Sequence, residues 1–256
     1  MLGLGTYQAP GPDARIAVAT ALRAGCPLID TAQAYKNEHD VGQGIRDSGV
    51  PRERVFVTTK LSVANQRESR TLAAFEESLK NLGTGYVDLF LIHWPFRENW
   101  KQCWTDMERL PTDRCRAVGV SNFTVEHLEE LAKIGSVVPA VNQVEFHPFL
   151  HQADLKEYCA RKGIILEAYS PLMQGNRFDD PVLQEVAQAH ARAVPQILVR
   201  WGLQHGVVEI PKSVHPERIH QNLNVFDFEL TASEMSRMDA LDEDLHFAWD
   251  PRTLKL

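Results

Sequence analysis

Three short apolar runs of the sequence finish on residues able to carry or share a proton: LID on Asp30, VFVTTK on Lys60 and LFLIH on His93. Tyr35 stands in the loop after Asp30. If these runs are neighbouring parallel strands of a β/α barrel, their ends converge on one mouth, because barrel active sites lie at the C-terminal ends of the strands. Singly, each residue has an ordinary use: Asp30 caps a loop, Lys60 is a solvated strand end, His93 is a hydrogen-bonded core histidine. Together they form a proton-donating set. A phenol with a free pKa of about 10 is a weak acid at neutral pH, and a nearby ammonium lowers that value by favouring phenolate. Lys60 supplies the ammonium, Asp30 keeps it charged in a partly buried place, and His93 orients a substrate oxygen by hydrogen bonding. Such a set suits protonation of a developing alkoxide.

The elements that must position these groups alternate along the chain. MLGLGT, LIDTA, VFVTTK, LFLIHW, AVGVSN, VNQVEF, ILEAYS and VVEIPK read as buried strands. Their starts lie mostly roughly 25 to 35 residues apart, the repeat of β-turn-α units, and such alternation implies a parallel sheet. Between them, TLAAFEESLKNLG places Leu72, Phe75, Leu79 and Leu82 on one helical face and closes on Gly83 as a C-cap. TVEHLEELAKIG opens on Thr124 as N-cap with Glu126 in its first turn, and QADLKEYCARKG ends at Gly163. Two helical segments precede the last strand, and Thr231 with Glu234 forms a capping-box pattern ahead of a terminal helix. A single (β/α)8 TIM barrel over residues 1–256 is the expected fold, with a six-stranded doubly wound sheet as the rival.

Composition narrows the function. At 256 residues, 44% hydrophobic and 24% charged, the chain is an ordinary globular sequence of barrel length. A net charge of -7 argues against a general nucleic-acid or anionic-membrane binder, which needs surplus Lys and Arg to replace released counterions. Cys26, Cys103, Cys115 and Cys159 include no C-x-x-C pair, and the histidines show no two-histidine metal spacing at strand ends, so no metal is expected. Without a signal-peptide pattern or a long apolar run, the expected location is the cytoplasm. Lys212, Ser213 and Arg218, in PKSVHPER, place a local basic group at the start of a helix, where anions are favoured.

The segments GLGTY, LIDTAQAYKNE, VTTKL, LIHWP, VGVSNF, NQVEFHP, YSPL and IPKS, in this order, resemble the aldo-keto reductases across practically the whole chain. That resemblance implies a barrel enzyme using NADPH/NADP+, with a tetrad falling on Asp30, Tyr35, Lys60 and His93. It implies further that Thr6 belongs to the cofactor site, that Ser121, Asn122 and Gln143 hold the nicotinamide carboxamide, and that Tyr169 stacks on the ring. Ser170 and Leu172 follow the pyrophosphate. Lys212, Ser213 and Arg218 receive the 2'-phosphate, Val214 and His215 belong to the cofactor site, and Gln221 and Asn222 lie near adenine. Arg218 makes NADP(H) preferred over NAD(H).

By family position, Tyr7 and Trp94 line the substrate pocket, while Ser62 replaces a large aromatic residue and predicts a more open one. With no long C-terminal loop, the chain looks more like the bacterial diketogluconate-reductase group, and a small aldehyde, ketone or keto sugar is the expected substrate of a monomer. The chain opens directly on GLGTY, so the hairpin that usually plugs the barrel bottom is expected to be absent. The alternative is a non-catalytic NADPH-binding regulatory or structural protein on the same fold.

Overall fold

The computed structural model describes residues 1–97 and 99–253. Strands β1 (Gly3–Gly5), β2 (Leu28–Asp30), β3 (Phe56–Leu61), β4 (Val87–Ile92), β5 (Cys115–Ser121), β6 (Val141–Glu145), β7 (Ile165–Tyr169) and β8 (Val208–Glu209) form one sheet in sequential order. Every adjacent pair is parallel. Parallel bridges Leu2–Glu209 and Gly5–Lys212 join the last strand to the first and close the barrel. Around it run α1 (Gly11–Arg23), α2 (Glu38–Ser48), α3 (Val63–Arg67), α4 (Thr71–Leu82), α5 (Asn99–Met107) and α6 (Val125–Ile134). The remaining helices are α7 (Ala153–Lys162), α8 (Pro181–Ala189), α9 (Val194–Gln204), α10 (Pro216–Leu223) and α11 (Ala232–Asp239). The doubly wound alternative is thereby excluded.

Side chains alternate across each strand with period two, and this alternation sorts the barrel into two cores. Ile29, Val57, Phe90, Val120, Val144 and Ala168 join the large apolar cluster between strands and helices. Leu89, Leu91 and Val141 form a separate cluster inside the barrel, with partly buried Phe56, Ala117 and Ala140 against it. On the same inward register of β2, β3, β6 and β7 stand Asp30, Lys60, Gln143 and Glu167, all buried. The interior therefore passes from apolar at the strand starts to ionisable at the strand ends.

Local sequence sets the helix ends. Thr124 accepts from the His127 N–H at 3.4 Å, and Thr231 and Glu234 form the reciprocal capping box. Gly83 ends α4 at φ 63, a left-handed conformation that costs an L side chain strain. Close approach matters at Gly42 in α2, where an added Cβ would lie 1.9 Å from the Leu82 carbonyl oxygen. The expected apolar face of α4 needs one correction. Leu72 is 51% exposed; the buried stripe is Thr71, Ala74, Phe75, Ser78, Leu79 and Leu82. The helix starts at Thr71, and a residue one position on is turned about 100° away from the stripe.

Candidate functional site

Asp30, Lys60 and His93 end or directly follow consecutive strands and meet at one mouth with Tyr35. Lys60 is the hub. Its ammonium donates to Asp30 Oδ1 at 2.5 Å, to the Thr31 carbonyl at 3.1 Å and to the Tyr35 hydroxyl at 3.3 Å. The Tyr35 ring stands edge-on to the His93 imidazole, with centroids 5.6 Å apart, and tilts against Tyr7 at 5.1 Å. Thr6 ties β1 to this corner: its N–H and hydroxyl both donate to the Asp30 carbonyl, at 3.0 and 2.9 Å.

Burial governs the electrostatics. It lifts the Asp30 carboxyl above its usual range, and the neighbouring Lys60 charge counters only part of that. Burial also pulls Lys60 down, but Asp30 and Tyr35 lift it to a net increase, so the ammonium is kept. The sequence expectation that Lys60 would lower the Tyr35 pKa is corrected: burial raises the phenol by more than the ammonium lowers it. His93, desolvated and facing the Lys60 charge, is driven to about 3 and is a neutral imidazole at physiological pH.

On the far side of the mouth, Ser121 donates to the Gln143 carbonyl at 2.8 Å. Asn122 occupies a left-handed conformation at φ 64, which asparagine tolerates better than most residues. Its Nδ2 donates to the His93 carbonyl at 2.9 Å, and its Oδ1 accepts from the Tyr169 hydroxyl at 2.8 Å. That contact fixes the Tyr169 ring beside a small cleft bounded by Asn122, Glu145, Tyr169 and His246. Ser170 follows with a left-handed backbone at φ 51, and Leu172 packs partly buried against the core.

Beyond β8, Ser213 and Asn222 are buried, Val214 is half-buried, and Lys212, His215, Arg218 and Gln221 are exposed. The Ser213 hydroxyl accepts from the His215 N–H at 3.1 Å. No side chain caps the N-terminus of α10, whose first turn also carries Glu217, and neither Lys212 nor Arg218 ion-pairs with a described residue. An uncapped helix start with two unpaired cations beside it is a fit for a phosphate group. With the oriented Tyr169 ring and the Gln143 amide at the other end, these residues fit a phosphorylated dinucleotide.

Ser62 is turned into the scaffold instead of the mouth. It is buried, its hydroxyl caps α3 by accepting from Asn65 N–H at 3.2 Å, and its own N–H donates to Gln33 Oε1 at 2.9 Å. Tyr7, 53% exposed, packs against Tyr35, and partly exposed Trp94 directly follows His93. Sequence reasoning missed Trp249, 64% exposed, whose ring lies 5.9 Å from that of Trp94. Also missed was Glu145, which holds the segment carrying Trp249 by accepting from the Phe247 and Ala248 N–H groups at 3.0 and 3.1 Å. Burial would raise this carboxyl, but the His147 and His246 imidazoles and the backbone donor bring it down to about 2. The inward position of Glu145 at the end of the NQVE run, on the same face as Gln143, was the available signal.

Among the described residues, His151, His205 and Asp239 bring ligand-type atoms within 4.8 Å of one another on the outer helices. Lys156 Nζ lies against both imidazoles, 3.2 Å from His151 Nε2 and 2.9 Å from His205 Nδ1, and an ammonium there opposes a metal ion. No helix among the described residues is long and apolar enough to cross a membrane.

Comparison with known proteins agrees with this geometry. The aldo/keto reductase family model matches residues 1–243. A glyoxal reductase of Bacillus subtilis (strain 168) is 49% identical over 98% of this chain and 92% of its own length. The crystal structure of MGS-M4, an aldo-keto reductase from a Medee basin deep-sea metagenome library, superposes with a TM-score of 0.95 at 41% identity, covering 99% of this chain and 95% of that one. A Bombyx mori aldo-keto reductase in complex with NADP superposes at 0.90 with 34% identity, over 96% and 90% of the two chains. The barrel, its mouth and these likenesses together mean that the chain belongs to the aldo/keto reductase family and is an NADP(H)-dependent oxidoreductase.

Proposed function

We propose that residues 1–256 act as one barrel unit that reduces the carbonyl of a small aldehyde, ketone or keto sugar, with Tyr35 as proton donor. The observation that carries this reading is the position of Lys60 Nζ, within hydrogen-bond reach of both Asp30 and the Tyr35 hydroxyl. NADPH supplies the hydride that adds to the carbonyl carbon.

Neutral His93 donates an N–H to the substrate oxygen and orients it toward Tyr35. As negative charge grows on that oxygen, the Tyr35 hydroxyl gives up its proton. The phenol is a weaker acid here than in water, yet an alkoxide is a stronger base than a phenolate, so the transfer still runs downhill. Lys60 stabilises the phenolate left behind, and Asp30 holds Lys60 in its charged form. Tyr7, Trp94 and Trp249 give the carbonyl apolar walls, which suits a compact substrate, and the 49% identity to a glyoxal reductase favours dicarbonyl aldehydes among them.

For the cofactor, Ser121, Asn122 and Gln143 take the carboxamide side and Tyr169 the ring face. Thr6 backs the corner at Asp30. Ser170 and Leu172 follow the pyrophosphate, Gln221 and Asn222 flank adenine, and Lys212, Ser213 and Arg218 take the 2'-phosphate, with Val214 and His215 also in the cofactor site. The test is to follow NADPH absorbance with glyoxal, methylglyoxal, simple ketones and keto sugars, with NADH in parallel. Binding of NADPH without oxidation by any of these carbonyls would favour a regulatory role instead.

A further inference from the structure

Gln143 is gripped by two carboxyl groups at once. Its Nε2 donates to Asp30 Oδ2 at 2.8 Å and to Glu167 Oε1 at 2.6 Å. A primary amide has two N–H bonds and one carbonyl oxygen, so both donors are engaged inside the barrel and the acceptor is left over. The reverse orientation would set the amide oxygen 2.8 Å from the Asp30 carboxylate, acceptor against acceptor. Gln143 and Glu167 are direct partners in the β6–β7 ladder, so backbone pairing fixes the spacing of this contact.

Glu167 has no place in the proton-donating set, yet it is 2% exposed on a strand whose Leu166 and Ala168 pack into the apolar core. A carboxyl so placed is costly to bury without a compensating partner. Burial first, then the Asp30 charge, raises it to about 8, while Gln143, Lys60 and the amino group of Met1 pull the other way. Its described hydrogen-bond partner is the Gln143 amide.

We propose that Glu167 is a positioning residue for the nicotinamide end of the cofactor: together with Asp30 it clamps the Gln143 amide nitrogen, leaving the amide oxygen to accept from the nicotinamide carboxamide. The inference rests on the reading of Gln143 as a cofactor ligand. It also couples hydride geometry to proton donation, since the same Asp30 carboxyl holds Lys60 through one oxygen and Gln143 through the other.

The test compares binding of NADPH with binding of 2',5'-ADP, a fragment that keeps the 2'-phosphate but lacks nicotinamide, to the intact protein and its variants. Glu167→Leu is expected to weaken NADPH about ten-fold, the scale of one buried hydrogen bond, and 2',5'-ADP by less than about two-fold. Glu167→Gln restores an acceptor to the amide and is expected to recover most of the lost NADPH affinity. Glu167→Ala serves the same comparison should the leucine variant fail to fold, and retained 2',5'-ADP binding reports that the barrel is intact. Equal weakening of both ligands would make Glu167 a general structural residue and overturn the proposal. So would an undiminished NADPH affinity in Glu167→Leu when Gln143→Ala is selectively impaired. If Gln143→Ala itself binds NADPH normally, the underlying assignment of Gln143 falls and the proposal with it.

Discussion

The β2–β4 wall and the β8–α10 end differ in how much of their work is done before a ligand arrives. In the wall, Asp30 and Lys60 are buried and locked at 2.5 Å, and the Tyr35 hydroxyl already accepts from Lys60. At the other end, Lys212 and Arg218 are exposed and ion-pair with no described residue. Bond-making needs atoms held in fixed geometry, and dense packing supplies that at the expense of burying charges. Recognition of a phosphate needs only charge and donors within reach, and leaving them in water avoids the burial cost until the anion binds.

The sharpest break in this comparison is at Tyr35. Tyr35→Phe is expected to lower kcat by about 10²–10⁴-fold, the usual contribution of a positioned proton donor. Stopped-flow and steady-state measurements should find kcat and kcat/KM falling together, with NADPH affinity retained. Full activity in this variant would remove the wall's distinguishing property.

Next in size is Lys60→Met, which leaves Asp30 buried without its cation. Breaking a buried pair in this way costs about 3–5 kcal/mol of stability, read from the urea midpoint. Because burial already lifts Asp30, the carboxyl can take up a proton, and the loss should sit toward the lower figure. The double variant Asp30→Asn, Lys60→Met should regain most of it. A single variant as stable as the parent would mean that the wall is not held by this pair.

Arg218→Ala acts on the open end. Loss of its charged hydrogen bonds to a 2'-phosphate is expected to remove about 1.5–3 kcal/mol, or about 10–100-fold in Kd for NADPH. NADH affinity should be unchanged, as should the unfolding midpoint, since an unpaired exposed arginine supports no other group. NADPH binding by the parent should weaken as salt rises, because the site is screened by solvent ions. Equal losses for both dinucleotides would show that the cationic end does not read the extra phosphate.

The two regions were also unequally legible in sequence. Asp30, Lys60 and His93 could be placed because each ends an apolar run, and strand ends of a barrel converge. The same logic located Thr124, Gly83, Gly163 and the Thr231–Glu234 box, where one residue type satisfies one local geometry. Leu72 was misplaced because helical spacing gives a face only after the first helical residue is known. The direction of the Tyr35 shift was misjudged because pairing with Lys60 is visible in a motif, whereas the depth of burial that outweighs it is not. Glu167 and Trp249 were missed for a related reason: an inward carboxyl on β7 and an aromatic on a late loop acquire meaning only from the side chains the fold sets beside them.

The smallest expected effect is a pH dependence of stability that only the packed region produces. Glu167 titrates near 8 when folded and, as an ordinary glutamate, near about 4.3 when unfolded. Between these values the native state holds a proton that the unfolded chain has released. The Glu167 contribution to stability therefore falls as pH rises through this window and levels off above about 8, where this carboxyl is ionised in both states. His93 works in the opposite sense, since its depressed pKa makes stability rise from about pH 3 to about 6.5, after which it contributes nothing more. Glu145, held near 2, matters only in more acidic solution. The interval from about pH 6.5 to 8 thus isolates Glu167 from these two groups. Thermal unfolding in that interval should show the parent midpoint declining with pH and Glu167→Gln declining less, while Arg218→Ala follows the parent. If Glu167→Gln tracks the parent throughout, the buried carboxyl is already ionised at neutral pH. The Gln143 amide would then be clamped between two negative charges, a stronger grip maintained at greater cost to the fold.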